Sequence, residues 1–266
     1  MNITTQGLSV ELGGLRVLHD ISFSAHAGSI TTLIGPNGSG KTTLLRALAG
    51  LLPHTGQVLQ DGIVRSPTRK AMLSPAIGYL PQDCACNSSL SILEVVLMGR
   101  LTRLGLSVNE PDREAACRVL DELGLLPLAS RAIGSLSGGQ RQMVFLAQAL
   151  AREPRLLLLD EPISALDIQH QLQVLEMIGV LTRQRNLTTL LILHDLNAAL
   201  RHADQAVLLR QGRVLASGPV HTVLQPAQVG EVFGVEMITA LASDGVPVLV
   251  ARRQKQGLNK IAQVDN

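Results

Sequence analysis

Eight consecutive residues, Gly35-Pro36-Asn37-Gly38-Ser39-Gly40-Lys41-Thr42, carry the densest chemistry in the chain. They fit glycine, four residues, then Gly-Lys-Thr, the pattern of a phosphate-binding loop. Gly35, Gly38 and Gly40 lack a Cβ, so the backbone can turn through left-handed conformations and come close to an anion. The N–H groups freed by that turn point at phosphate oxygens. Lys41 supplies a mobile cation for the β- and γ-phosphates, and the Thr42 hydroxyl can ligate Mg²⁺. Residues 29–34 read as a buried strand leading in. Residues 43–49, from Thr43, read as a helix whose N-terminal dipole adds to the anion site.

Further groups suit the same chemistry. Asp160 ends a run of four leucines, where a carboxylate can hold Mg²⁺ through a water. Glu161 follows and is placed to polarise an attacking water. Two adjacent acids leaving an apolar strand rarely serve packing, because buried carboxylates are costly unless paired. His194 ends the next apolar run and can hydrogen-bond a γ-phosphate and the attacking water. Gln82, after Leu80-Pro81, can contact Mg²⁺ or water. Ser137 can cap the helix that begins at Gly138. Gly138 and Gly139 let an anion approach that helix end, within Leu136-Ser137-Gly138-Gly139-Gln140. Two phosphate-facing helix ends on one chain suggest that the second serves a neighbour's nucleotide.

The elements that must position these groups can be read from periodicity and punctuation. Residues 8–12, 17–25 and 77–80 have strand character, and residues 56–60 lead into Asp61-Gly62 as a hairpin. Residues 91–99 and 111–123 have helical spacing and form a helical insertion between two parts of a sheet. Residues 138–152 and 168–185 are long helices. Residues 155–160 do not alternate, which suits a central parallel strand covered on both faces. Residues 187–193 form another buried strand, and 207–210 with 213–215 a hairpin. From Gly218 on, short helices and a terminal strand near 246–250 are expected, with 254–266 polar and frayed. Strands alternating with helices after a phosphate loop predict a mostly parallel sheet with its ligand at the strand ends.

Composition excludes several classes. With 266 residues the chain is long enough for one large or two small domains. A net charge of +2, from 23 basic and 21 acidic residues, gives no electrostatic reason to expect nucleic acid. One Tyr, three Phe and no Trp make a single-strand stacking platform unlikely to form. Cys84, Cys86 and Cys117 lack the second pair that a tetrahedral zinc site needs, and their odd count suits a reducing compartment. No run of about 18 apolar residues predicts a membrane span. No Asn-Lys-x-Asp guanine-reading motif is present.

These residues, in this order, resemble the nucleotide-binding subunit of an ABC transporter. The likeness covers about residues 8–215. It rests on the phosphate loop, Gln82, the signature at Leu136–Gln140, the four leucines with Asp160 and Glu161, Ser164-Ala165-Leu166-Asp167, and His194. The resemblance implies an α/β fold of the P-loop NTPase type. That fold has a mostly parallel central sheet, an antiparallel β subdomain at the N-terminal side and a helical insertion subdomain. The ATPase domain would span residues 1–235, with the helical subdomain at about 87–137. Residues 236–266 would form a C-terminal tail with a terminal strand.

Two copies would pack head-to-tail, each ATP lying between one phosphate loop and the other copy's signature helix. Gly35, Pro36, Asn37, Gly38, Ser39, Gly40, Lys41, Thr42 and Thr43 would bind one ATP. Ser137, Gly138, Gly139 and Gln140 would bind the partner's. Thr42, Gln82 and Asp160 would hold Mg²⁺. Glu161 would be the general base and His194 the γ-phosphate sensor, with Gln82 beside them and Asp167 at the dimer contact.

Narrower features, Val95-Val96-Leu97-Met98-Gly99-Arg100, Leu166-Asp167-Ile168-Gln169-His170-Gln171, His194-Asp195-Leu196-Asn197 and Val232-Phe233-Gly234-Val235, resemble importer subunits for iron–siderophore complexes, haem and vitamin B12. They imply ATP hydrolysis coupled to uptake of an iron chelate, a ferric siderophore first, with haem or cobalamin as the alternative. Implied partners are a second copy, integral membrane permease subunits and, indirectly, a periplasmic or surface substrate-binding protein. The implied location is peripheral, at the cytoplasmic face of the inner membrane. Gln82, the cysteine pair and the helical insertion would face the permease. Where the family has an adenine-stacking aromatic, this chain has Leu12, so adenine packing passes to Leu12 and Val17, which offer no π-face. Ile163 replaces a usual Thr or Ser, and Met143 a frequent Arg.

Overall fold

The computed structural model describes residues 1–64, 74, 76–82, 88–100, 108–164, 166–243 and 245–252. Cys84, Cys86, Ala165 and residues 254–266 lie outside this set. The N-terminal layer begins with β1 (Ile3–Leu12) and β2 (Leu15–Ala25), paired antiparallel with Leu12 opposite Leu15. The turn between them is Gly13-Gly14, both at positive φ, as a two-residue hairpin of matching twist needs. Both strands start earlier than their alternation alone suggests. β3 (Ser29–Ile34) runs into the phosphate loop, and α1 (Lys41–Leu48) follows it. Gly40, at φ 99, is the cap residue of α1, so Lys41 and Thr42 lie in its first turn, two residues earlier than the apolar spacing indicates.

β4 (Thr55–Gln60) and β5 (Ile63–Val64) form the hairpin around Asp61-Gly62. β6 (Ile77–Leu80) is followed by two helices, α2 (Ile92–Met98) and α3 (Glu110–Glu122). Two short 3₁₀ turns then lead into α4 (Gly138–Ala151). The remaining order is β7 (Leu156–Leu159), α5 (Ile168–Gln184), β8 (Thr188–Ile192), α6 (Leu196–His202), β9 (Gln205–Arg210) and β10 (Arg213–Pro219). After these come α7 (Val220–Val223), α8 (Pro226–Phe233), β11 (Glu236–Leu241) and β12 (Pro247–Arg252). The expected terminal strand is therefore the second arm of a hairpin. Its first arm, β11, and the short helix α6 have too few residues to show a period in sequence.

The central sheet has the order β10-β9-β3-β8-β7-β6, parallel throughout except for β10 at one edge. A separate antiparallel sheet has the order β2-β1-β4-β5. This is an α/β fold of the P-loop NTPase type, with the antiparallel layer on the N-terminal side. The four leucines of β7 divide between two cores. Leu156 and Leu158 pack with Ile3, Leu33 and Leu44. Leu157 and Leu159 pack with Val144, Leu175 and Leu120. Both faces of the strand are dry, so no polar residue alternates. Each such burial contributes about 1.5–3 kcal/mol relative to exposure.

The helices between β6 and β7 are tied to α4 by close contact. A Cβ on Gly99 would lie 2.2 Å from the Gln148 carbonyl oxygen. Arg100 pairs with Asp112 at 2.7 Å and donates to the Ala151 carbonyl at 2.8 Å. Among the described residues, no helix is long and apolar enough to cross a membrane.

Candidate nucleotide site

The exits of four adjacent strands, β3, β8, β7 and β6, face one cleft of about 620 Å³. It is lined by Val17, the loop residues from Asn37 to Thr43, Gln82, Glu161 and His194. Close neighbours, a backbone carbonyl for Gly35 and a side chain for Gly40, leave little room at two of the loop glycines. A Cβ on Gly35 would lie 2.2 Å from the Leu209 carbonyl oxygen, and one on Gly40 would lie 2.5 Å from Leu18. Lys41 folds back over the loop, its Nζ donating to the carbonyls of Gly35 at 2.7 Å and Pro36 at 3.0 Å. Burial lowers the Lys41 pKa, while the charges of Glu161 and Asp160 pull it back up.

Asp160 is fully buried at the end of β7. Its Oδ1 accepts from the Thr42 hydroxyl at 3.1 Å, and its Oδ2 has no partner among the described residues. Burial, first of all, raises its pKa; the Thr42 hydrogen bond and the charges of Lys41 and Arg46 oppose that. An orphaned buried carboxylate oxygen costs about 1–3 kcal/mol or more. With the Thr42 hydroxyl beside it, it offers the hard oxygen ligands that Mg²⁺ takes. The residues present therefore fit that ion.

Glu161 gathers the other predicted groups. Its Oε1 lies 2.6 Å from His194 Nε2, and its Oε2 accepts from Gln82 Nε2 at 3.2 Å. Three residues 33 or more positions apart in sequence thus meet on one carboxylate, because β6, β7 and β8 are neighbours. Glu161 also takes φ 53, a left-handed conformation that costs a residue with a Cβ about 1–2 kcal/mol. Its carbonyl accepts from Gln142 Nε2 at 2.9 Å and from the Ser164 hydroxyl at 3.1 Å.

His194 is placed by the turn after β8. The next residue, Asp195, caps α6 by accepting from the backbone N–H groups of Asn197 at 2.7 Å and Ala198 at 3.1 Å. The Asn197 amide then pairs with β12 like a strand edge. It donates to the Leu249 carbonyl at 3.2 Å and accepts from the Leu249 N–H at 2.8 Å.

The signature residues lie elsewhere. Ser137 and Gln140 cap α4 reciprocally, each side chain accepting from the other's backbone N–H at 3.2 Å. Ser137, Gly138, Gly139 and Gln140 line a second cavity of about 550 Å³, with Met143, Asp167 and His170. None of the four lines the first cleft. Of the two residues expected to pack adenine, Val17 borders the cleft; Leu12 does not and is 39% exposed.

The contacts of Gln142 on Glu161 and of Asn197 on β12 are not revealed by the spacing of motifs. Gln142 had a signal: it lies four and eight positions before Leu146 and Leu150, a polar residue in a buried helical stripe. Asn197 had none, since its partner is 52 residues away.

A phosphate loop, a buried magnesium-type carboxylate and a glutamate–histidine pair at parallel strand ends define a nucleoside triphosphatase of the P-loop class. Comparison with known proteins narrows the class. The family model for the ABC transporter matches residues 18–164. The cobalamin import ATP-binding protein BtuD of Halobacterium salinarum is 38% identical over 88% of this chain, which spans 59% of that relative's length. The hemin import ATP-binding protein HmuV of Rhizobium etli is 36% identical, covering 94% of this chain and 97% of the relative. The ferric enterobactin transport ATP-binding protein FepC of Escherichia coli is 34% identical, covering 91% of each. A solved inward-facing structure described as a metal-chelate type ABC transporter superposes with a TM-score of 0.82 at 29% identity, over 95% of this chain and 98% of that one. A dimeric bacterial ABC transporter cassette superposes with a TM-score of 0.71 at 27% identity, over 82% of this chain and 98% of that one. The chain belongs to the ABC transporter family.

Proposed function

We propose that this chain is the ATP-hydrolysing subunit of an importer that takes up an iron chelate, a ferric siderophore in the first instance. The observation that carries the ATPase reading is the division of phosphate-facing groups between two separate cavities of one chain. Each copy would lend its signature helix end to the other's nucleotide in a head-to-tail pair. That a related cassette is dimeric supports a paired reading.

In this reading Lys41 and the N–H groups of the loop hold the β- and γ-phosphates. Thr42, Gln82 and Asp160 would hold Mg²⁺, which would supply positive charge against the phosphate oxygens. Glu161 accepts a proton from water as the water oxygen bonds to the γ-phosphorus. The bond from that phosphorus to the β–γ bridging oxygen breaks, leaving ADP and phosphate. His194 contacts the γ-phosphate and keeps the Glu161 carboxylate oriented through their 2.6 Å contact. Val17 packs against adenine. Catalysis is then mostly positioning and charge stabilisation.

The partners proposed are a second copy and integral membrane permease subunits at the cytoplasmic face of the inner membrane. A substrate-binding protein would act through the permease. The relatives for ferric enterobactin and hemin support an iron-chelate substrate. The cobalamin relative supports cobalamin as the second reading. Glu161→Gln tests the catalytic reading: it should bind ATP, dimerise and lose turnover by about a hundredfold or more. Near-normal turnover would remove Glu161 from its role. Uptake of labelled ferric siderophore in a deletion strain, with haem and cobalamin as competitors, tests the substrate.

A further inference from the structure

Gln142 is a polar side chain in an apolar place. It sits on α4, five residues after the cap Ser137, and is 5% exposed. Its Nε2 donates to the Glu161 carbonyl at 2.9 Å, while its Oε1 is buried with no partner among the described residues. Only the NH₂ end of the amide can face a carbonyl, so its orientation is dictated. A leucine or methionine would suit the stripe that continues through Leu146 and Leu150. A buried amide satisfied on one side only is costly, and such costs persist where the group has a task.

The task is visible at Glu161. A non-glycine residue at φ 53 keeps that conformation only where its surroundings over-determine it. Two side chains grip the Glu161 carbonyl. Ser164 belongs to the same turn and moves with it, at 3.1 Å. Gln142 comes from another element, so it fixes the Glu161 peptide relative to the sheet and to α4. The carboxylate that meets His194 and Gln82 then leaves the backbone in a set direction.

We propose that Gln142 is a positioning residue. It holds Glu161 in its left-handed turn, and so joins the helix end facing the partner's nucleotide to the base serving its own. The inference rests on the reading of Glu161 as base and of the α4 end as a partner-facing site. It makes a directional statement: Gln142 acts on the Glu161 of its own chain.

The experiment uses purified full-length chains and first-turnover cleavage of ATP. Each test chain is paired with an excess of a partner that carries Glu161→Gln, so one site per pair is active. Gln142→Met keeps the volume and removes the donor. Paired this way, it should cleave about tenfold more slowly than wild type, with unchanged affinity for a fluorescent ATP analogue. Wild type paired with an excess of Gln142→Met/Glu161→Gln should match wild type paired with Glu161→Gln alone. A merely structural role would not separate these two pairings. An unchanged rate in the first, or a slowing in the second, would overturn the proposal. Should Gln142→Met not fold, Gln142→Asn keeps the amide and shortens its reach to the Glu161 carbonyl. It should slow the same turnover about threefold at unchanged affinity, and an unchanged rate would overturn the proposal. Failure of the underlying reading looks different: Glu161→Gln would itself cleave ATP, or would stay monomeric with ATP.

Discussion

Single side chains in this protein are tuned by what surrounds them, and His202 is a case outside the cleft. It lies in the last turn of α6, half-buried. Burial lowers its pKa from 6.5; Glu176 pulls it up and Arg201 pushes it further down. The folded state therefore binds a proton less readily than the unfolded chain. His202 contributes fully while neutral, above the unfolded value near 6.5, and that contribution is lost as pH falls. Urea unfolding at pH 7.5 and 5.5 should give a lower stability at the acid end, and His202→Gln should flatten the difference. An unaltered slope in that variant would place the acid sensitivity elsewhere. Much of the residue level was legible in sequence. Lys41, Thr42, Asp160 and Glu161 announce themselves because few other residue types do phosphate chemistry at strand exits. Gln142 was only half legible, since a polar residue in a buried stripe says that a partner exists without saying which.

At the level of elements, two close contacts decide how helices and strands are held. Gly99 ends α2 where the Gln148 carbonyl of α4 leaves no room for a Cβ, at 2.2 Å. Gly99→Ala should force the helices apart and lower stability by about 1–3 kcal/mol. Chemical denaturation measures this; an unchanged midpoint would show that the contact yields. The second contact is the Asn197 amide on Leu249. Asn197→Ala leaves a buried N–H and C=O of β12 unpaired, which costs about 1–3 kcal/mol locally. Hydrogen exchange over residues 247–252 should quicken, while nucleotide affinity stays unchanged. Slow exchange retained there would mean the hairpin docks by other contacts. Long helices and the buried central strands were readable from periodicity and length. The hairpin of β11 and β12 was not, because its docking joins the Asn197 amide and the main core to a strand edge brought from far along the chain.

Across the whole molecule, the cleft and the signature helix end are two cavities that one chain keeps apart. The proposal that a second copy joins them makes a thermodynamic prediction. Glu161→Gln saturated with ATP at about a hundred times its Kd gains about 2.7 kcal/mol from ligand binding alone. Its melting temperature should also rise with protein concentration, because pairing adds a term that depends on mass action. Without nucleotide, the melting temperature should not move over the same range. A concentration-independent transition in the ATP-bound variant would argue that the halves never meet.

The sequence by itself determined which residues have types suited to phosphate chemistry and that they stand at the ends of strands and helices. Those features are local: a loop of glycines and a lysine, an acid after four leucines, a serine before two glycines. The tertiary structure alone supplied the contacts by which Gln82 and His194 meet on Glu161, left Leu12 outside the cleft lining and gave Ser137 to Gln140 a cavity of their own. Convergence depends on the order β3-β8-β7-β6, which hydrogen bonds between distant segments set and local periodicity does not encode.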